Sequence, residues 1–152
     1  MTATLELKLN KNITESYLPF VPRINRLLSD SNLRKQDSNC WGTIAWVLGI
    51  EDQILEGFHK NHKQRKKPGF IDPRLIQYFL TFNSNISIVG EGNTGDIISF
   101  ERHLDLQHGG IYLGETKKGK IMFHQRDDGV FEIIPLKKYK LDNEIRTIYY
   151  AF

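Results

Sequence analysis

The 152-residue sequence predicts an α+β fold, because helical patterns fill its first half and strand patterns its second half. Two apolar stretches with helical spacing follow good N-cap residues before residue 82. After residue 86, short apolar runs alternate with glycine-containing turns, as in antiparallel hairpins. No linker, repeat or low-complexity tract interrupts the chain, so we expect a single domain over residues 1–152.

The elements of the first half are predicted from caps and periodicity. Alternating leucines indicate a strand over residues 3–9, and a short helix near Ile24–Leu28 is one possibility. Ser38 and Asn39 are suitable caps for a helix over residues 40–49, which Gly49 would close. A short helix is expected over Asp52–Lys60. Asp72 as cap and Pro73 at the first position then start a further helix.

The second half is predicted to form strands joined by turns. The expected strands, in chain order, are Ile86–Val89, Ile97–Phe100, Gly110–Gly114, Lys120–His124, Val130–Ile134 and Arg146–Phe152. The third and fourth form a hairpin around residues 117–119, and a second turn lies at residues 126–129. Strands in this order, after the helices, favour an antiparallel sheet with helices packed against it.

Composition excludes several classes of protein. The 21 Lys and Arg residues against 18 Asp and Glu give a net charge of +3, which is too mild to indicate a nucleic-acid partner. The lone cysteine excludes a scaffold of internal disulfides. No stretch has the roughly 20 apolar residues of a membrane span, and no signal peptide is visible. The compartment stays open between cytoplasm and signal-independent export, and the oligomeric state is not predicted.

Cys40 is the first candidate for chemistry. It stands at the predicted start of a helix, where unpaired backbone N–H groups and the helix dipole favour a thiolate. We therefore expect a nucleophile whose pKa lies below the ~8.5 of free cysteine. The alternative is that a lone cysteine is a small buried apolar residue.

His108 and His124 are candidates for acid–base work. His108 precedes Gly109 and Gly110, which leave room for another group to approach. The hairpin would place His124 on the neighbouring strand, where it could orient the His108 ring. Each could instead be a surface histidine at a strand end. A zinc site on Cys40, His108 and His124 is a minor alternative, which no second cysteine or motif spacing supports.

Taken in order, these stretches resemble the NlpC-type cell-wall peptidases, a compact bacterial branch of the papain-like fold. Asn-Cys-Trp-Gly at residues 39–42 stands where that family has Asp-Cys-Ser-Gly, so Asn39 and Trp41 are departures. Gly95 and Asp96 begin a strand that matches the family's Gly-Asp strand. Residues 108–114 match its His-x-Gly-Ile-Tyr-Leu-Gly segment. The resemblance covers about Asn39 to Ile134.

The resemblance implies a papain-like cysteine hydrolase of peptide or isopeptide bonds, with the peptidoglycan stem peptide as first-choice substrate. Cys40 would attack, His108 would move the proton and His124 would orient His108. Asn39, Trp41 and Gly109, beside these residues, are expected to line the substrate site. The backbone N–H of Cys40 would stabilise the oxyanion. Neither a cofactor nor a metal is expected, and the partner would be a peptide or protein substrate.

Two rival functions use the same residues. A toxin or effector could apply the Cys-His site to deamidation or transglutamination of protein glutamine. A catalytically inactive binding module would keep the fold without a reactive thiol. Two further patterns are set aside. Residues 90–95 match the dinucleotide pattern G-x-G-x-x-G, but a strand rather than a helix follows them. The basic stretch His59–Lys67 is expected to be a solvated loop, with contact to an anionic partner as the alternative.

Overall fold

The computed structural model of the chain describes residues 20–29, 37–55, 66–103, 105–139 and 145–152. Within them the helices are α1 (Val21–Ser29), α2 (Cys40–Leu48), α3 (Glu51–Leu55) and α4 (Pro73–Phe82). The strands are β1 (Ser87–Val89), β2 (Ile97–Arg102), β3 (Asp105–Thr116), β4 (Gly119–Gln125), β5 (Phe131–Pro135) and β6 (Arg146–Ala151). A short 3-10 helix, Leu136–Lys138, follows β5. The predicted α+β class is confirmed.

The six strands form an antiparallel sheet in the order β1-β6-β2-β3-β4-β5. A tight turn joins β3 to β4, and Gly119 there has φ 98°. This backbone angle suits glycine, since side chains clash in the left-handed region. The strands β3, β4 and β5 are consecutive in the chain and adjacent in the sheet, so side chains on them can interact across strands.

Helix α2 starts and stops as its sequence predicts. The Asn39 side chain accepts a hydrogen bond from the Gly42 N–H at 2.9 Å, which satisfies a backbone donor that the helix itself cannot pair. Gly49 closes the helix in the left-handed conformation, and its N–H reaches the carbonyls of Ala45 and Trp46. Residues 41–47 are all buried, so α2 is a core helix that packs on β3 and β4.

The other predicted helices are confirmed where the structure describes them. The Asp72 carboxylate accepts from the Arg74 N–H at 2.8 Å and Pro73 opens α4. Helix α1 is longer than the predicted Ile24–Leu28. The predicted helix from Asp52 begins one residue earlier, and its part beyond Leu55 lies outside the described residues. So do the predicted strand at residues 3–9 and the basic stretch up to residue 65.

The sheet has two differently covered faces, because side chains alternate along each strand. The helices pack on one face, where Trp41 and Ile44 of α2 meet Ile111 and Phe123. The opposite face carries a smaller apolar cluster that includes Phe100, Tyr112 and Met122, with Tyr139 packed against it. The even-numbered positions of β4 and β5 belong to this second face, as do His108 and Tyr112 of β3. Among the described residues, none of the helices has both the length and the apolar character of a membrane span.

Candidate functional site

His108 and His124 are hydrogen-bonded to each other on the second face of the sheet. His108 Nε2 lies 2.7 Å from His124 Nδ1, and each side chain is 1% exposed. The two residues are diagonal neighbours on β3 and β4. Gly110 stands opposite His124, and a Cβ there would lie 3.3 Å from the His124 Cβ. The missing side chain leaves room for His108, so the hairpin brings the two histidines together as predicted.

The position of His108 within its strand differs from the prediction. The sequence placed it at the head of a strand starting at Gly110, whereas β3 starts at Asp105 and His108 pairs with Phe100 of β2. An irregular register after Phe100 lets residues 105–107 join the strand. The imidazole is therefore held by a continuous strand rather than by a loop.

Glu132 extends the pair of histidines, and the sequence analysis missed it. Its Oε1 lies 2.9 Å from His124 Nε2, and its Oε2 lies 3.6 Å from a guanidinium nitrogen of Arg126. Glu132 stands directly opposite His124 in the β4–β5 register. The predicted turn at residues 126–129 contained this signal, since strands joined by that turn align His124 with Glu132.

Aromatic rings cover the His108 side chain. The Tyr139 ring stacks on it with centroids 4.5 Å apart and an interplanar angle of 18°, and Phe100 lies 6.3 Å away at 24°. Burial lowers the pKa of His108 to about 3, and the neighbouring His124 contributes to the shift. Burial also lowers the pKa of His124, although the hydrogen bond to Glu132 opposes this. Both rings are neutral near pH 7.

Cys40 is the first residue of α2 and is half-buried. Burial raises the pKa of its thiol to about 11, although the backbone N–H of Gly109 hydrogen-bonds the sulfur and opposes the shift. Asp127 raises the pKa further, and the N–H groups of Trp41 and Cys40 lower it. The expected pKa below that of free cysteine is wrong for this conformation, because desolvation outweighs the helix N-terminus.

No hydrogen bond joins the thiol to the imidazole among the described residues, since α2 packs on one face of the sheet and the two histidines lie on the other. His108 Nδ1 is buried and has no hydrogen-bond partner among the described residues. The Cys40 sulfur reaches the N–H of Gly109, the residue next to His108. The predicted chain from Cys40 through His108 to His124 is therefore hydrogen-bonded in its second link only. The site as described contains a neutral thiol and a neutral imidazole, not an ion pair.

The residues expected to line the substrate site have structural contacts in the folded chain. The Trp41 side chain is 2% exposed and packs against Gly109, where an added Cβ would lie 2.4 Å from the indole ring. The Asn39 amide accepts from the N–H groups of Gly42 and Ile71 and donates to the Ile71 carbonyl at 2.7 Å. These contacts position α2, and the role of the three residues in substrate binding stays a prediction. Gly109 contributes its N–H to the thiol and its lack of a side chain to the packing.

Two further contacts fix the start of α2. A Cβ on Gly42 would lie 1.7 Å from the Gly69 carbonyl oxygen, so the chain before α4 crosses the first turn of the helix. The buried amide oxygen of Gln125 accepts from the hydroxyls of Ser38 at 2.9 Å and Thr43 at 2.7 Å. These hydrogen bonds tie the helix that carries Cys40 to the end of β4, next to His124.

Comparison with known proteins gives no match to a family model, a curated protein or a solved structure. The site must therefore be interpreted from its own geometry. Among the described residues, no group of three His, Cys, Asp or Glu side chains is arranged to hold a metal ion. The arrangement offers a thiol at a helix N-terminus, a buried imidazole with an unpaired nitrogen, and a polar chain behind it.

Proposed function

We propose that the chain is a papain-like cysteine hydrolase that cleaves a peptide or isopeptide bond through a thioester on Cys40. The proposal is carried by His108, whose Nε2 is bonded to His124 while its buried Nδ1 has no partner. A base needs a nitrogen that is held in place yet open to a proton. The residue after His108 already contacts the Cys40 thiol through its backbone.

The reaction starts from the neutral thiol and imidazole. His108 Nδ1 accepts the thiol proton while the sulfur attacks the amide carbonyl, so charge separation occurs only as the new bond forms. Hydrogen bonds in a site without substrate are often long, and they tighten when substrate binds. The C–N bond then breaks, and the leaving amine takes the proton from His108. Water hydrolyses the thioester to a carboxylate and restores the thiol.

Helix geometry supports stabilisation of the oxyanion. The backbone N–H groups of Cys40 and Trp41 at the start of α2 point toward the sulfur region. A carbonyl oxygen bound beside the thiol would receive the same positive end of the helix. The Cys40 N–H is the donor that we assign to it.

The substrate class rests on the resemblance to cell-wall peptidases, which favours the peptidoglycan stem peptide. Deamidation or transglutamination of protein glutamine uses the same thioester and differs in what accepts the acyl group: water gives hydrolysis and an amine gives transamidation. The two substrates would also differ in what leaves: a peptide amine for the peptidase and ammonia for the rival reactions.

A catalytically inactive binding module is the second candidate. The thiol pKa of about 11 and the missing hydrogen bond between Cys40 and His108 favour it, since an active pair is expected to share a proton. Iodoacetamide separates the candidates. If the chain is an enzyme, iodoacetamide should alkylate Cys40 with a rate that depends in part on His108, and His108→Ala should remove that part. A module should show only the slow, uncatalysed reaction of a buried thiol, with a midpoint above that of free cysteine.

The substrate test uses two panels with one readout. The protein is incubated with peptidoglycan fragments and, separately, with glutamine-rich proteins plus a labelled amine, and adducts and products are identified by mass spectrometry. Stem-peptide release with a thioester on Cys40 is expected. Amine incorporation or a one-dalton gain at glutamine would favour the rival. Cys40→Ala is the matched control in both panels. If neither panel reacts and His108→Ala leaves alkylation unchanged, the enzyme proposal fails.

A further inference from the structure

We propose that Glu132 is a positioning residue that sets the tautomers of His124 and His108, leaving the lone pair of His108 on Nδ1. The catalytic meaning of this inference rests on the proposed function. The tautomers themselves do not, because they follow from the hydrogen bonds among three buried or half-buried side chains.

The series of hydrogen bonds begins at the Glu132 carboxylate, which can only accept a hydrogen bond. Glu132 Oε1 lies 2.9 Å from His124 Nε2, so that nitrogen carries the proton of the neutral ring. His124 Nδ1 then has only a lone pair. Since His108 Nε2 lies 2.7 Å from it, His108 must donate there. The single proton of the neutral His108 ring is thereby placed on Nε2.

The remaining nitrogen, His108 Nδ1, is the one that has no partner among the described residues. A buried acceptor without a hydrogen bond destabilises the folded state, and the structure keeps this unsatisfied acceptor at His108 Nδ1. The two observations agree: the tautomer chain assigns a vacant lone pair to Nδ1, and the packing leaves that atom without a donor. This is the state that a base requires before it accepts a proton.

Without Glu132, the two directions of donation in the His108–His124 hydrogen bond would be close to equivalent in energy. The bond between the histidines can be made equally with the proton on His124 Nδ1, and His108 would then carry its proton on Nδ1. In that tautomer His108 cannot accept the thiol proton. The Arg126 guanidinium lies 3.6 Å from Glu132 Oε2, so the other oxygen, Oε1, is the one that faces His124. Glu132 therefore breaks the symmetry of the histidine pair without touching the reacting atoms.

The test reads the tautomers directly by nitrogen NMR of the histidine rings at pH 7. In the wild type, both Nε2 atoms should be protonated and both Nδ1 atoms unprotonated. Glu132→Ala should give a mixture, and Glu132→Lys, which can only donate, should move the proton to His108 Nδ1. Glu132→Gln keeps an accepting oxygen and should restore the wild-type pattern. Glu115→Ala, an exposed carboxylate on β3, is the matched control.

Cys40 alkylation by iodoacetamide in the same variants provides the second readout. Glu132→Lys should lose the His108-dependent rate by roughly tenfold or more, as expected for a bond to a charged group. Glu132→Ala should lose less and Glu132→Gln least. A wild-type His108 protonated on Nδ1, or tautomers unchanged in both Glu132→Ala and Glu132→Lys, would overturn the inference. Expected tautomers in a protein without acyl transfer would instead overturn the proposed function alone.

Discussion

The two halves of the candidate site are held in different ways. The histidine half is a chain of hydrogen bonds across β3, β4 and β5, with His108 and His124 buried and joined at 2.7 Å. The cysteine half is the start of a helix, fixed by packing and backbone contacts, with no bond from the thiol to the ring among the described residues. Strand register positions polar atoms directly, whereas helix packing positions Cys40 only through its neighbours.

The largest effect is expected at His108, which takes the Cys40 proton in the proposed mechanism. His108→Ala removes the base and should lower the rate of acyl transfer by ~10²–10⁴-fold. His124→Asn should retain part of the rate, because an amide oxygen can still accept from His108 Nε2. Single-turnover kinetics with an activated amide or ester substrate measures both. Complete loss in a folded His124→Asn variant would show that His124 does more than orient the base.

The cysteine half can be disturbed by filling the space between α2 and β3. In Gly109→Ala, the new methyl group would meet the Trp41 ring at 2.4 Å, so the helix must shift. We expect a loss of about 1–3 kcal/mol in the free energy of unfolding, as for an overpacked core. Urea denaturation measures it.

Gly90→Ala is the matched control for this helix displacement, because nothing lies within 4 Å of its Cβ position. It should change stability little. The His108–His124 tautomers should also survive Gly109→Ala, while Cys40 alkylation changes. If both halves respond alike, the distinction between register and packing is not valid.

Acid should destabilise the histidine half. Below the ordinary histidine pKa of 6.5, the His108 side chain binds a proton in the unfolded chain. In the folded chain it stays neutral down to about pH 3. Stability therefore falls as the pH drops through this window, by up to about 1.4 kcal/mol per pH unit for His108. Between pH 7 and pH 5 the loss should be about 2 kcal/mol. Chemical denaturation of the wild type at the two pH values measures this.

Removing the titration should flatten that curve. His108→Gln keeps a donor for His124 Nδ1 but cannot be protonated in this range, so its stability should depend less on pH. Gly90→Ala, which changes no titratable group, is the control and should leave the slope unchanged. An equal slope in His108→Gln and wild type would show that other groups account for the acid sensitivity.

The smallest effect is expected at the helix caps. Asn39→Ala removes the cap of α2 and should cost about 0.5–2 kcal/mol, toward the upper end because Asn39 also bonds to Ile71. Asp72→Ala at the exposed cap of α4 is the comparison and should cost less. Thermal unfolding measures both. Only Asn39→Ala should alter the rate of Cys40 alkylation. An equal change in Asp72→Ala would contradict the inference that Asn39 positions Cys40 through the cap of α2.

Local signals in the sequence predicted much of the fold. The caps at Asn39 and Asp72 located the starts of α2 and α4, because side-chain acceptors at these positions satisfy backbone donors nearby. The turn at residues 117–119 predicted that His108 and His124 would lie on adjacent strands. Each of these inferences used residues close together in the chain, and such contacts follow from local geometry.

The missed features depend on contacts between distant segments. The burial of Trp41 against Gly109 of β3 could not be predicted from its place beside Cys40, since 68 residues separate the two in the chain. The thiol pKa was predicted from the helix start alone, and the burial that raises it is a tertiary effect. Glu132 was within reach of the sequence, since the turn at residues 126–129 sets its register. The motif around His108 does not include Glu132, because Glu132 contacts His124 and not His108.

The hydrogen bonds from Gln125 have a consequence for the order of folding. They join Ser38 and Thr43 to a residue 87 and 82 positions further along the chain. Loops of that length close slowly, so these contacts are expected late, after the β3–β4 hairpin has formed. During synthesis the segment that becomes α2 leaves the ribosome well before its apolar surface has strands to cover it. Cys40 therefore stays apart from the strands that carry His108 and His124 until most of the chain has been translated.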